Sequence, residues 1–131
     1  MNGTTSGAPG EVSTGNIKWS HAEVGAIYGG VLSTAGDLVF YTTLDAANTF
    51  HALDVSNPVN GDVKEVWHAN LECPSTGNPI TWRGSVDGKQ RVAVYSGVGA
   101  MVGGMRGFTP GVAGKPCTSS NGGVVHVYVL P

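Results

Sequence analysis

Charged side chains are scarce in this sequence. Lys and Arg together number 7, Asp and Glu number 9, and charged residues make up 12% of the chain. The formal net charge is −2, and no cluster of basic residues is present to neutralise nucleic-acid phosphates. No apolar run approaches the roughly 20 residues that a membrane-spanning helix needs. We therefore expect neither a nucleic-acid partner nor a membrane span.

The N-terminus has neither the basic start nor the apolar centre of a signal peptide. Motifs for familiar catalytic and metal sites are also missing. The four histidines show no metal-ligand spacing such as His-x-x-x-His, and they are interpreted as surface or strand residues: His21, His51, His68 and His126. No serine stands in a nucleophile-elbow context, so hydrolase chemistry has no support.

Glycine is abundant instead, with 21 residues among 131, and 7 prolines accompany it. Many Gly together with Val, Thr and Tyr are typical of short strands joined by tight turns, so the sequence predicts an all-β fold without a helix of normal length. The clearest hairpin has a turn at Ala35-Gly36-Asp37. Gly36 is expected to adopt the positive φ of this turn, and Asp37 to bond its own backbone.

Further strands are expected along the chain. They are predicted at the residues ending in Trp19 and at 30–33, 38–44, 49–54, 63–70, 79–82, 90–96 and 124–130. A loop is predicted at 57–61, an Asp-Gly turn at 86–89 and a long Gly-rich loop at 97–123. Four consecutive antiparallel strands within about 40 residues have the size of one propeller blade.

A partial repeat supports this interpretation. Ala52-x-Asp54 is followed by Gly61 and Trp67, and Thr14-Gly15-x-x-x-Trp19 fits the second half of the same pattern. The Asp is expected to cap a turn, the Gly to take a positive φ, and each Trp to pack between neighbouring sheets. Such a unit cannot bury its apolar face alone and must stack on similar units.

Several segments carry a family resemblance. They are Lys18-Trp19, Glu23, Gly29–Tyr41, Thr43-Leu44-Asp45, Ala52-x-Asp54, Gly77-Asn78-Pro79-Ile80-Thr81, Asp87-Gly88-Lys89-Gln90 and Val92–Gly99. In this order they resemble the C-terminal part of the pyrroloquinoline quinone-dependent alcohol dehydrogenases of the methanol and ethanol type. The resemblance implies an eight-bladed β-propeller, of which this chain would hold about two four-stranded antiparallel blades.

The resemblance also implies a division of the chain. Residues 1–13 would be a flexible lead-in, and 14–29 the end of a preceding blade with its connection. Residues 30–71 would form a complete blade, and 72–131 a partial second blade with the long Gly-rich loop 97–123.

The activity implied by the resemblance is oxidation of a primary alcohol in the periplasm. Pyrroloquinoline quinone beside a calcium or lanthanide ion would accept the electrons, and a cytochrome would receive them. Tyr28 stands where the family usually has a Trp that contacts the cofactor, next to Gly29 and Gly30. Met101 stands where a Trp usually lies beside the substrate pocket. The family's catalytic Asp and metal ligands precede the matching region, so no catalytic or metal-binding residue is assigned and the isolated chain is expected to be inactive.

Cys73 and Cys117 are the only cysteines, without a Cys-x-x-Cys-His haem signature. In an oxidising periplasm a disulfide between them would tie the start of the second sheet to the long loop. Two blades cannot close a propeller, so the partners expected are the remaining blades, from the same gene or another chain, or further copies of this chain. The alternative is a self-associating β-propeller fragment that serves as a non-catalytic binding or structural module.

Overall fold

A computed structural model describes residues 16–97 and 123–130, and the backbone of Asn2–Gly3. The strands are β1 (Asn2–Gly3), β2 (Trp19–Ser20), β3 (Leu32–Ser33), β4 (Leu38–Thr42), β5 (Thr49–Val59), β6 (Asp62–Asn70), β7 (Ile80–Arg83), β8 (Gln90–Gly97) and β9 (Gly123–Val129). All pairings are antiparallel, and the described part of the chain contains no helix. The all-β prediction is confirmed. A short strand, β1, lies within the predicted lead-in and pairs with β2.

The first sheet is a four-stranded meander with the order β3-β4-β5-β6. Each strand pairs with the next one in sequence, as in a propeller blade. Phe40 lies opposite Ala52, which in turn lies opposite Trp67, so the three side chains share one face of the sheet. This face packs against the second sheet.

The turns of the first sheet differ from the prediction in two places. Asp37 has the positive φ, 57°, and Gly36 does not, so the assignment of this φ to Gly36 was wrong. Asp tolerates this region because its short side chain can bond locally. Strand β5 also continues to Val59 through a register shift, which leaves a two-residue turn. Asn60 (φ 53°) and Gly61 (φ 79°) form that turn, and the positive φ of Gly61 confirms the expectation for it.

The second sheet has the order β7-β8-β9. Strands β7 and β8 form a hairpin over the predicted Asp-Gly turn, where Gly88 has φ 67°. Strand β9 pairs with β8 from Gly97↔Gly123 to Arg91↔Val129. The residues between these two strands, including most of the predicted long loop, lie outside the described residues.

The core consists of two clusters on opposite faces of the first sheet. Away from the second sheet, Trp19 covers β4 to β6 in a cluster of Trp19, Val39, Tyr41, Leu53, Val55 and Val63. Between the sheets lie Phe40, Phe50, Ala52, Leu71, Val92 and Val94. Rings link the two sheets at the edge of this second cluster, because Trp67 of β6 contacts both Phe50 and Tyr128.

The opposite face of the second sheet is partly exposed and mostly apolar, with Arg91 as a charged member. Its exposed large side chains are Ile80, Trp82, Tyr95, Val125, Val127 and Val129. The registers place all six on one face, because Ile80 and Val127 flank Ala93, Trp82 and Val129 flank Arg91, and Tyr95 lies opposite Val125. We call this surface the open face. Across the described ranges, no helix is long and apolar enough to span a membrane.

Candidate cofactor-facing loop

The loop with Tyr28, Gly29 and Gly30 runs beside the end of β4. The Leu44 N–H donates to the Ala26 carbonyl at 2.8 Å, and these two residues form an isolated antiparallel bridge. A Cβ at Gly29 would lie 3.3 Å from the Thr42 hydroxyl oxygen. The backbone of the loop is therefore held close to the first sheet before it enters β3.

Two glycines let this loop contact the segment that precedes β7. A Cβ at Gly29 would lie 2.7 Å from the Gly77 carbonyl oxygen, and one at Gly30 would lie 2.5 Å from Asn78 Oδ1. Both distances are too short for a real side chain. The close approach also forms a hydrogen bond, because the Gly30 N–H donates to Asn78 Oδ1 at 2.7 Å. The contact with backbone therefore requires glycine at position 29, whereas at position 30 a side chain would displace the Asn78 side chain.

The segment 74–78 is itself fixed to both sheets. From the first sheet, the Thr42 hydroxyl donates to the Ser75 carbonyl at 3.2 Å. From the second sheet, the backbone carbonyl of Tyr95 accepts a hydrogen bond from the Ser75 hydroxyl at 2.6 Å, and the Gly97 N–H donates to the Pro74 carbonyl at 2.9 Å. Ser75 is 2% exposed. The loop therefore rests on a buried junction between the two sheets.

Tyr28 is the exposed member of this loop. Its side chain is 51% exposed, so the ring presents an accessible surface beside a fixed backbone. A planar heteroaromatic molecule could stack there, since aromatic rings favour offset stacking. Met101, the predicted substrate-pocket residue, lies outside the described residues.

A second polar group, which we call the Tyr41 cluster, lies on the far face of the first sheet. It consists of Glu23, Tyr41, His51, Glu65 and His68. The Tyr41 hydroxyl donates to Glu23 Oε1, and the Tyr41 ring stacks on His51 with centroids 4.9 Å apart and planes at 12°. His51 Nδ1 lies 2.5 Å from one Glu65 oxygen, and His68 Nδ1 lies 2.7 Å from the other.

Burial and charge affect the ionisation of this cluster. Burial raises the pKa of the Tyr41 hydroxyl well above its usual value, and the hydrogen bond to Glu23 raises it further. Burial also raises the pKa of the Glu65 carboxyl, but the hydrogen bonds from His51 and His68 outweigh this effect and lower it. In the described part of the chain, no group of three or more His, Cys, Asp or Glu could hold a metal ion. The cluster acts as a hydrogen-bonded link between the segment before β3 and the strands β4 to β6.

Asp45, and Asp54 of the predicted turn, bind backbone groups. Asp45 accepts hydrogen bonds from the Ala47 and Thr49 N–H groups at 2.8 and 3.2 Å, and from the hydroxyls of Thr43 and Thr49. Burial raises the pKa of Asp45, but these bonds outweigh burial and lower it overall. The hydroxyl and the backbone N–H of Ser56 both donate to Asp54 Oδ1, and these two bonds lower the pKa of Asp54. Asp54 thus supports the irregular end of β5.

The two tryptophans predicted to pack between sheets, and Cys73, contribute to packing. Trp19 is 2% exposed in the core, and Trp67 lies between the two sheets. Cys73 is buried, and Cys117 lies outside the described residues, so their pairing stays a prediction. Sequence reasoning missed the role of Asn78. The Gly77-Asn78-Pro79 turn signal could have drawn attention to it.

Comparison with known proteins identifies the family of this chain. No family model matches the chain. Over 90 residues, 69% of the chain, it is 40% identical to methanol dehydrogenase (cytochrome c) subunit 1 of Methylobacterium organophilum. Over 118 residues, 90% of the chain, it is 33% identical to the quinoprotein alcohol dehydrogenase PedH of Pseudomonas putida. The chain belongs to the quinoprotein alcohol dehydrogenases.

A solved structure supports the propeller fold. A europium-containing methanol dehydrogenase matches 79% of the chain with a TM-score of 0.54 and 32% sequence identity. The chain covers 19% of that structure. It spans 13% and 18% of the lengths of the two curated relatives, so it corresponds to a small segment of a quinoprotein alcohol dehydrogenase. The prediction of antiparallel propeller blades is confirmed.

Proposed function

We propose that this chain is the C-terminal propeller segment of a pyrroloquinoline quinone-dependent dehydrogenase that oxidises primary alcohols in the periplasm. The observation that supports this most directly is the Tyr28–Gly30 loop. It presents an exposed ring from a backbone fixed by Gly77 and Asn78. The relatives named methanol dehydrogenase and quinoprotein alcohol dehydrogenase support the same substrate class.

The residues of the loop suit one side of a quinone site. Tyr28 would offer the face of its ring, and its hydroxyl adds a hydrogen-bond acceptor that a Trp in this position would lack. Gly29 and Gly30 keep the backbone close to the sheet junction, so the ring position is set by the fold. When bound, the quinone supplies the two-electron oxidation of the alcohol carbon, and the chain's part is to hold and orient it.

The metal and the base of this reaction are assigned to other parts of the enzyme. The described residues contain no carboxylate and histidine group suited to calcium or a lanthanide. We therefore infer that the ligands of the ion, and the carboxylate that removes the alcohol proton, come from the remaining blades. A cytochrome is the proposed electron acceptor, in line with the cytochrome c named for one relative.

The exposed side chains of the open face indicate that another sheet packs against it. Ile80, Val125 and Val127 are 50–63% exposed on it, and neighbouring exposed apolar side chains of this kind are typical of a surface that packs against a partner. We propose that a neighbouring blade covers this face, supplied by the rest of the same protein or by a separate chain. The second candidate, a self-associating non-catalytic module, rests on the same face being covered by another copy.

Two experiments test the proposal. First, a chimera places residues 16–131 in the matching segment of the europium-containing methanol dehydrogenase, and quinone retention and dye reduction with methanol and ethanol are measured. We expect retention and turnover in the chimera, and no turnover from the isolated chain with quinone plus calcium or europium. A folded chimera that retains no quinone would contradict the cofactor assignment.

The second experiment is size-exclusion chromatography of the isolated chain with light scattering. The non-catalytic module would be favoured if the isolated chain forms a closed ring of copies and the chimera shows no quinone-dependent activity. A chimera active with alcohols would favour the dehydrogenase, whatever the isolated chain forms.

A further inference from the structure

The Gly30–Asn78 hydrogen bond connects parts of the chain that are 48 residues apart. On one side is the loop that presents Tyr28, and on the other is the segment between the two sheets. Asn78 Oδ1 accepts the Gly30 N–H at 2.7 Å, and this amide is two residues from Tyr28. It is the one hydrogen bond described between the Tyr28–Gly30 backbone and the segment 74–78 within the described ranges.

The position of Asn78 is set by buried groups on its N-terminal side. The Ser75 hydroxyl donates to the Tyr95 carbonyl, and the Gly77 N–H lies 3.3 Å from the same hydroxyl oxygen. Pro79, which follows Asn78, is buried. The backbone on both sides of Asn78 is thus held, while its own side chain is exposed at the surface.

An exposed asparagine is ordinarily replaceable at little cost in stability. Here the Oδ1 atom accepts the Gly30 N–H, and the Asn78 side chain fills the space that a Cβ at Gly30 would occupy, 2.5 Å from Oδ1. If this bond is lost, the Gly30 N–H must form its hydrogen bond with water instead. The loop then loses the Gly30–Asn78 contact that orients Tyr28. The consequence is expected at Tyr28, and it need not reach the core of either sheet.

We infer that Asn78 is a positioning residue, which fixes the Tyr28–Gly30 loop on the junction of the two sheets and so sets the orientation of the Tyr28 ring toward a bound quinone. This inference rests on the proposed function for its quinone part. The positioning of the loop itself is a property of the chain without any cofactor. The two parts are measured separately.

The first measurement is amide hydrogen exchange by NMR on the full-length chain without quinone. Loss of a hydrogen bond worth about 1 kcal/mol corresponds to about a five- to tenfold change, so Asn78→Ala is expected to accelerate exchange at Gly30 by about that factor. Asn78→Asp keeps an oxygen at the acceptor position and is expected to stay within about twofold of the original protein. Gly88, whose N–H donates to the Gly84 carbonyl at 3.0 Å, is the internal reference.

Two outcomes of this measurement overturn the inference. Unchanged exchange at Gly30 in Asn78→Ala would mean that the hydrogen bond does not protect the loop. Acceleration of the same size at Gly30 and Gly88 would mean that Asn78 stabilises the chain as a whole, with no local positioning role. Asn57→Ala is the matched control, because Asn57 is also exposed and its side-chain bond is to the adjacent Ser56.

The second measurement uses the chimera described above. Asn78→Ala is expected to weaken quinone retention about tenfold with an unchanged melting temperature, and Asn78→Asp is expected to restore it. Equal retention in all three proteins would overturn the quinone part of the inference. Absence of quinone from the chimera with Asn78 intact would instead count against the proposed function, and the Gly30 exchange result would still decide the positioning role.

Discussion

The indole ring of Trp67 meets the ring of Tyr128 edge-on across the two sheets, with centroids 4.9 Å apart and planes at 70°. Trp67 belongs to β6 and Tyr128 to β9, so this pair joins the last strand of the first sheet to the last described strand of the second. Next to them is an apolar cavity of about 370 Å³, lined also by Leu38, Phe40 and Val92. The pair therefore lines the apolar space between the sheets and bridges it.

A double-mutant cycle with Trp67→Ala and Tyr128→Ala is expected to show a coupling energy of about 0.5–1.5 kcal/mol, as for other aromatic pairs. Urea unfolding of the original protein, both single variants and the double variant provides the four values. A second cycle with Trp82→Ala and Tyr128→Ala is the control, and its effects are expected to be additive. Trp82 is 40% exposed, similar to Trp67 at 38%, but it lies on the open face. Additive effects for Trp67 and Tyr128 would show that their rings do not stabilise each other.

Removal of the Tyr41 hydroxyl is expected to destabilise the chain. Tyr41→Phe leaves the ring stacked on His51 but removes the hydrogen bond to Glu23, and bonds to charged groups contribute about 1.5–3 kcal/mol. The measurement is the free energy of unfolding in urea. Tyr28→Phe removes a hydroxyl from a half-exposed ring and is expected to change stability by less than about 0.5 kcal/mol. Equal values for the two variants would contradict the role of the Glu23 bond.

The stabilisation that Asp45 provides is expected to depend on pH. Hydrogen bonds lower the pKa of its carboxyl in the folded chain below the ordinary 3.8, so the folded state favours the ionised form. This stabilisation is complete above pH 3.8 and is lost as the pH falls through the lowered pKa. Unfolding midpoints of the original protein and Asp45→Asn should therefore differ most near neutral pH and converge in acid.

Asp37→Asn is the control for this prediction, because an Asn also suits the φ of 57° at that position. A difference between Asp45→Asn and the original protein that stays constant from pH 7 to pH 2 would show that the ionised carboxylate is not required.

Two glycine substitutions distinguish the two turns of the first sheet. Gly61→Ala forces an alanine into φ 79° and is expected to destabilise by about 1–2 kcal/mol. Gly36→Ala meets no atom within 4 Å and needs no positive φ, so it is expected to stabilise by about 0.4–1 kcal/mol. Thermal unfolding of the two variants provides the comparison. If Gly36→Ala destabilises the chain, the result would favour the prediction from sequence that Gly36 has the positive φ of this turn.

The cysteine pair is predicted to form a disulfide in protein from an oxidising compartment. A bridge between Cys73 and Cys117 would contribute about 3–4 kcal/mol by chain-entropy reasoning. Intact-mass measurement after alkylation without reduction is expected to show no added alkyl group. Two added groups on denatured, unreduced protein would reject the bridge.

Local patterns predicted most of the strands because each blade strand carries its own signal. The alternation of Val92, Val94 and Ser96 on one face of β8, and the apolar run at 124–130, needed no tertiary information. The turn at Gly36-Asp37 was predicted in the right place but with the positive φ on the wrong residue, because Asp and Gly both suit it. At 57–61 the Asn-Gly pair was read as a loop, although it forms a two-residue turn that extends both flanking strands.

The contacts that sequence reasoning could not supply join distant residues. Asn78 and Gly30 are 48 positions apart, and Tyr41 and Glu23 are 18 apart. No periodicity links such pairs, since the contact depends on how one sheet packs on another. His51 and His68 were interpreted as surface or strand residues, and they lie on β5 and β6. What the sequence did not predict is that strand pairing places them opposite each other and beside Glu65.

The order of the strands also affects how the chain folds. In the first sheet every partner is the next strand along the chain, so its contact order is low and rapid zippering from hairpins is expected. Strand β9 instead joins β8 across 25 intervening residues, and the entropy of closing that connection must be lost before any ladder bond forms. We therefore expect β9 to pair after the hairpins of the first sheet have formed, so the burial of Tyr128 against Trp67 reports on a late step of folding.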